Sequence, residues 1–350
     1  MNNFIRQATW VFLIGLMAVS TAFAQKMETL FYTVDNEESF QSFKNNIGFI
    51  DMVGPQTYKV DENGTLSGAT DSRILRLAKE QGVKVMPLVT NPGFNQTLIH
   101  KLLQNPEAQD RVIRSMVEEC ARFNYTGFQF DFENVHVTDK QALTSFYQRA
   151  AVAFHQKNLQ LSIAVVPRSS DFAGSTDYSK WIFENWRGVY DYKALAAAGD
   201  FISLMTYDEH TRYTTPGPVA GEPWMEKDLQ FVMKEVPPEK ISLGIPLYSS
   251  YWYSTVQAEQ IRPWAQQISY REAMGVTERF GGKPEWNNQD QVFFTIFKHD
   301  GQNEYVFFED SKAFASKLEL VKKYKLRGFS SWRLGQEDPE IWKSLARKHP

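Results

Sequence analysis

One rhythm dominates the sequence past residue 25. A short apolar run that suits a buried strand is followed, again and again, by a longer amphipathic stretch that suits a helix. The strand candidates are 30–34, 47–54, 83–90, 127–132, 159–166, 201–207, 241–246 and 328–332, and the helical patterns fall at 71–81, 106–123, 139–157, 225–236 and 311–324. Thr138 and Gln141 at the start of the third helix have capping-box spacing. Runs this apolar belong to parallel sheets covered by helices. Eight of them in a chain of this length, with no glycine-rich phosphate fingerprint after the first, predict an α/β fold of the (β/α)₈ TIM-barrel type and not a doubly wound sheet. One connection is too long for a simple barrel loop. From 248 to 310 the chain runs far beyond two to six residues. Runs at 292–297 and 304–308 flank His299-Asp300-Gly301-Gln302, a hairpin pattern. The reading is a small α+β insertion between strands seven and eight, rising from the C-terminal face as one wall of a groove.

The first residues read as a leader. Arg6 precedes an apolar run at 10–19, and Ala22-Phe23-Ala24 fits small-x-small cleavage. The run is short for a membrane span, and no cysteine follows the cut for a lipid anchor. The expectation is a signal peptide at 1–24, a mature barrel at 25–350, no membrane anchor, and a secreted or periplasmic location. The formal net charge of −3 gives no basis for binding nucleic acid or an anionic membrane. The lone Cys120 rules out an internal disulfide, and its neighbours Val112, Ile113, Met116 and Val117 place it in a core. Nine Trp among 14% aromatic residues suit either a large core or a groove for sugar rings.

The chemistry concentrates in Gly127-Phe128-Gln129-Phe130-Asp131-Phe132-Glu133. On a strand the three phenylalanines share one face, and Gln129, Asp131 and Glu133 share the other. Buried carboxyl groups in a row are costly unless they are hydrogen-bonded or do chemistry. Glu133 closes the fourth strand candidate, at the face where barrel enzymes place their catalytic groups. An ionised Asp131 two residues earlier would hold the pKa of Glu133 up and fit it to act as a general acid. The two lie on one side, so they do not grip a sugar from opposite faces as ordinary glycosidase pairs do. Tyr207 and Asp208 end the sixth strand candidate, and Trp332 ends the last. Tyr32, Tyr58 and Arg168 fall near other strand ends and are candidates to line the groove. His136 and His210 match no tight ligand spacing, so no metal and no cofactor are expected.

These residues carry a resemblance. The segment 127–133 is similar to the signature of glycoside hydrolase family 18, in which a strand ends Asp-Gly-x-Asp-x-Asp-x-Glu. The resemblance continues in Met205-x-Tyr207-Asp208, in Gly244-Ile245-Pro246-Leu247-Tyr248, and in Gly328-Phe329-Ser330-Ser331-Trp332-Arg333-Leu334-Gly335. Phe132-Glu133-Asn134-Val135 and Tyr207-Asp208-Glu209-His210 resemble the branch of spore-germination-type and chitinase-domain-containing proteins. The resemblance implies hydrolysis of β-1,4 bonds beside N-acetylglucosamine by substrate assistance through an oxazolinium intermediate. It implies Glu133 as acid and base, Asp131 orienting the acetamido group, and Tyr207 bonding its carbonyl. Asp208, Met205 and Tyr248 would contact the sugar and Trp332 would floor it, with Gln129, Tyr32 and Tyr58 joining the binding site. The expected partner is an N-acetylglucosamine-containing oligo- or polysaccharide acted on by a monomer. Thr126 and Gln129 stand where the signature has Asp. An amide at 129 cannot ionise, so lower or pH-shifted activity is expected, with the amide still able to fix Asp131. The alternative function is a non-hydrolytic, lectin-like barrel, which the presence of Glu133 disfavours.

Overall fold

A computed structural model of the chain describes residues 27–257 and 260–349; the expected leader at 1–24 lies outside them. Eight parallel strands close into a barrel. They are β1 (Glu28–Thr33), β2 (Met52–Val60), β3 (Leu88–Thr90), β4 (Gly127–Asp131), β5 (Gln160–Val165), β6 (Phe201–Leu204), β7 (Ile241–Pro246) and β8 (Gly328–Trp332). Each pairs with the next, and β8 closes on β1 with Glu28 opposite Gly328. Helices follow the strands and cover the outside, as the alternation requires. No helix among the described residues is long and apolar enough to cross a membrane.

Several boundaries shift for local reasons. Ile47–Phe49 is not strand but a 3₁₀ turn at the end of a helix, Glu37–Asn46, that the apolar runs did not signal. That helix starts at Asn36, whose side chain accepts from the Ser39 N–H. The run at 83–90 breaks into Lys84–Val85 and Leu88–Thr90 around Pro87, which has no N–H to give a ladder. The capping box at Thr138 does not form. Thr138 sits in a 3₁₀ turn capped by His136, and the helix Lys140–His155 begins after Asp139 without a side-chain cap.

The strand alternation sorts two cores. Phe128, Phe130 and Phe132 face outward into a cluster shared with the helices, where Phe146, Tyr147, Phe154 and the buried Cys120 pack. Inside the barrel lies a smaller apolar floor of Leu30, Tyr32, Met52, Met86, Leu88 and Phe201, with Trp332 resting on it. Gln129, Asp131 and Glu133 rise from that interior toward the C-terminal rim.

Between β7 and β8 the chain builds a five-stranded antiparallel sheet with one helix, Tyr270–Arg279. Its strands run Gln260–Ile268, Ser249–Gln257, Gln302–Phe308, Val292–His299 and Glu285–Asn287 in spatial order. Asp300 and Gly301 turn the hairpin between Val292–His299 and Gln302–Phe308, both at positive φ.

Candidate active site

At the rim the chain leaves β4 at Asp131 and reaches Glu133 two residues on. Its backbone there is clamped from two sides. Asn91, buried just past the end of β3, accepts from the Glu133 N–H at 3.0 Å and donates to the Glu133 carbonyl at 2.8 Å. The Tyr190 hydroxyl donates to the carbonyl of Phe132 at 2.8 Å. Asn134 then turns the chain away at φ 52°, with its amide donating to the carbonyl of Phe94. The result is a fixed backbone carrying a free side chain. No described residue hydrogen-bonds the Glu133 carboxyl group, which faces the cleft.

Two lobes of about 300 and 310 Å³ meet at Glu133 and share Trp186, Met205, Tyr207, Asp208, Tyr248 and Gln267. One lobe is bounded by Asp131, Trp332, Gln56 and the ring of Tyr32. The other runs out between the loops after β5 and β6 and the return strand Gln260–Ile268 of the insertion. Trp332 leans on Tyr32 at 5.7 Å between ring centroids, an indole floor beside Asp131. Asp208, at the mouth, accepts from the Tyr248 hydroxyl at 2.5 Å and the Gln267 amide at 3.3 Å. The insertion thus reaches the site through Gln267.

Burial sets the electrostatics. It pushes the Asp131 carboxyl up to about 6, against a weak opposing hydrogen bond from the Gln56 amide at 3.3 Å. Burial first, then the charges of Asp131 and Asp208, lift Glu133 well above the usual carboxylate range. Tyr207 is raised by burial and by the surrounding phenol and carboxylates, so it stays a neutral hydroxyl, and it has no hydrogen-bond partner among the described residues. A carboxyl group biased toward its acid form, a second carboxyl beside it and an unengaged phenol therefore converge on one cleft.

Asp131, Glu133, Met205, Tyr207, Asp208, Tyr248 and Trp332 come together in this cleft. Two of the expected binding residues do not belong to its surface. Gln129 is fully buried one inward position below Asp131. Its Oε1 accepts from the Tyr32 hydroxyl at 2.7 Å, and its Nε2 donates to Ser162 and Ser203 at 2.9 and 3.0 Å. The amide is spent on those partners, so it neither meets a sugar nor fixes Asp131. Tyr58 points the other way. Strand β2 bulges between Gln56 and Tyr58, which reverses the alternation, and the Tyr58 hydroxyl bonds Glu119 at 2.7 Å and Tyr125 at 3.0 Å under a helix. Its inward place is taken by Gln56. Arg168 is structural too: it ties Asp171 to the Tyr190 carbonyl and stacks on Tyr192.

His136 bonds Thr138 and His210 bonds the carbonyl of Thr215. No group of three or more His, Cys, Asp or Glu among the described residues is placed to hold a metal. Asn91, Tyr190, Gln56, Trp181 and Trp186 are site residues that sequence reasoning passed over. The aromatic density of Trp181-Ile182-Phe183-Glu184-Asn185-Trp186 was a signal in plain view.

An eight-stranded parallel barrel with a carboxyl pair and an indole floor at its C-terminal rim has the layout of a barrel enzyme with a site suited to a sugar. The particular family is equally plain: the chain belongs to Glycosyl hydrolases family 18, whose model matches residues 20–337. It is 26% identical to the uncharacterized glycosylase YvbX of Bacillus subtilis over 91% of this chain and 90% of that protein. It is 25% identical to the cortical fragment-lytic enzyme of Bacillus subtilis, over 89% of this chain and 70% of the relative. The fold matches the crystal structure of a chitinase from Chromobacterium violaceum with a TM-score of 0.81 at 24% identity, covering 91% of this chain and 97% of the other.

Proposed function

We propose that this glycosidase hydrolyses the β-1,4 bond that follows an N-acetylglucosamine unit in chitin oligosaccharides or peptidoglycan, with retention and with help from the substrate's acetamido group. The observation that carries the reading is that Asp131, at the end of β4, and Glu133, two residues on, face the cleft from one side, both carboxyl groups raised by burial. Carboxyl groups on one side do not serve as acid and opposing nucleophile, and membership of the family supports the substrate's acetamido group in the nucleophile's place.

Glu133 gives its proton to the glycosidic oxygen as the bond from C1 to that oxygen breaks. The acetamido carbonyl oxygen bonds C1 from the other face and forms an oxazolinium ion. Asp131 accepts from the acetamido N–H and offsets the growing positive charge. The Tyr207 hydroxyl orients the acetamido carbonyl, and Trp332 supports the ring from beneath. A water molecule then bonds C1, yields a proton to the Glu133 carboxylate, and opens the oxazolinium ring with configuration retained. Relatives named for cortical fragments and chitin support a glycan rich in N-acetylglucosamine. The leader pattern at 1–24 supports action outside the cytoplasm.

The test is product analysis by mass spectrometry on N-acetylglucosamine oligomers and peptidoglycan, with NMR detection of the first anomer formed. Glu133→Gln is expected to lower kcat by about 10²–10⁴-fold. Undiminished turnover in that variant would remove Glu133 from the acid's role. Substrates that bind the wild type yet stay intact would make the barrel a binding protein.

A further inference from the structure

The proposed reaction leaves two cations of the outer lobe without a task. Arg187 lines that lobe, and its buried Nε has no hydrogen-bond partner. Its guanidinium forms no ion pair with a described residue. The buried Asp228 carboxyl, whose Oδ2 also lacks a hydrogen-bond partner, feels the Arg187 charge without being hydrogen-bonded to it. Arg212 stands exposed at the mouth of the same lobe. Its guanidinium lies over the rings of Tyr213 and Trp264, at 4.9 and 5.3 Å from the centroids, and donates to the Tyr213 hydroxyl at 2.7 Å. It too has no carboxylate partner among the described residues. The acids nearby are committed elsewhere. Asp208 is held by Tyr248 and Gln267, and Glu209 accepts from the Gly221 N–H.

Beside these cations runs a wall of exposed rings. Trp181 and Tyr213 are 40% and 58% exposed and lie 5.7 Å apart. Such a wall suits the flat face of a sugar. The position of the lobe assigns the sugar. With the acetamido-bearing unit beside Asp131 and Trp332, the bond to be broken lies at Glu133, and the leaving group extends across Glu133 into this lobe.

We propose that the lobe selects a leaving-group sugar whose substituent ends in a carboxylate, held by Arg187 and Arg212 with the ring against Trp181 and Tyr213. The proposal rests on the hydrolase reading above and narrows its substrate class. A chitin unit carries no such anion. The alternate sugar of peptidoglycan does, as a 3-O-lactyl carboxylate or as the carboxylates of a peptide attached there. Planar guanidinium groups take a carboxylate through paired hydrogen bonds, and a partly buried one without a partner gains most from it.

The experiment compares three peptidoglycan tetrasaccharides: lactyl carboxylate free, lactyl carboxylate amidated, and lactyl group extended by a dipeptide. A chitin tetramer serves as reference. The wild type is expected to favour a carboxylate-bearing tetrasaccharide over the amidated one by about tenfold in kcat/KM, in line with one charge-assisted pair. That ratio is expected to shrink in Arg187→Gln and Arg212→Gln, to vanish in the double variant, and to fall with added salt. Which of the free and dipeptide forms shows the arginine-dependent preference identifies the carboxylate's source. Equal rates on charged and amidated forms, or a preference untouched by both substitutions, would overturn the proposal. Arg212 is on the rim, so its variant remains informative should Arg187→Gln fold poorly. Titration of the same saccharides into Glu133→Gln reads the preference as affinity without turnover, which separates failure of this selectivity from failure of the hydrolase reading.

Discussion

Gln129 is the residue at which this chain departs most consequentially from the Asp-rich strand of its family. Beneath Asp131 it supplies a neutral amide held by a phenol and two serines. Asp131 is therefore raised by burial and not by a second acid below it. Activity that needs the Asp131 anion is expected to fall as pH drops through about 6, because the raised group takes up its proton there. Gln129→Asp places a like charge next to Asp131. The serine hydroxyls can rotate to donate to it, so the fold should tolerate the change. The acid limb of kcat/KM is then expected to move to higher pH; limbs that superimpose would show that position 129 has no hold on Asp131. Since Asp131 and Glu133 are coupled, the limbs belong to the pair.

Single loops and strands carry the next level of control. Asn91, on the turn after β3, fixes the backbone of Glu133 through both of its amide atoms. Asn91→Ala strips both bonds and is expected to cost about 1–3 kcal/mol of stability. It should also lower kcat about 10–100-fold with little change in KM, since a displaced acid impairs the transition state more than binding. Asn91→Asp keeps the acceptor alone and should fall between; a KM effect equal to the kcat effect would argue against a positioning role. At this scale the sequence was readable wherever one rule governs an element. The period of two through β4 and the two residues after it separates three phenylalanines from three polar residues, and that division holds from 128 to 133. Tyr58 was assigned to the wrong face because a single-residue bulge, which leaves no compositional mark, inverts β2 after Gln56. The aromatic wall at Trp181 and Tyr213 escaped because loop conformation, not periodicity, brings those rings together.

The whole molecule depends on how firmly the insertion sits on the barrel. Lys317 is completely buried on the helix Ser311–Lys323 and pairs with Glu309, itself 4% exposed, at the exit of the insertion. Burial raises Glu309 to about 7 even beside that cation. Lys317→Met is expected to cost about 3–5 kcal/mol in urea unfolding, because it strands a buried carboxyl group. Adding Glu309→Leu should recover much of the loss. A double variant no more stable than the single one would place the cost in packing, not charge. Ser249 accepts from the Glu309 N–H and pairs with Ile268 next to Gln267, so loosening this seam should be felt at Asp208.

The amide in the barrel axis has one further consequence. Below Asp131 lie Gln129, Tyr32, Ser162 and Ser203, above an apolar floor of Leu30, Met52, Met86, Leu88 and Phe201. None of these named groups is a carboxyl or an imidazole, so they offer Asp131 no acid or base from below. Protons reach the carboxyl pair from the cleft, the side that a bound glycan covers. In the proposed reaction the proton that reloads Glu133 then comes with the attacking water, and not through the barrel.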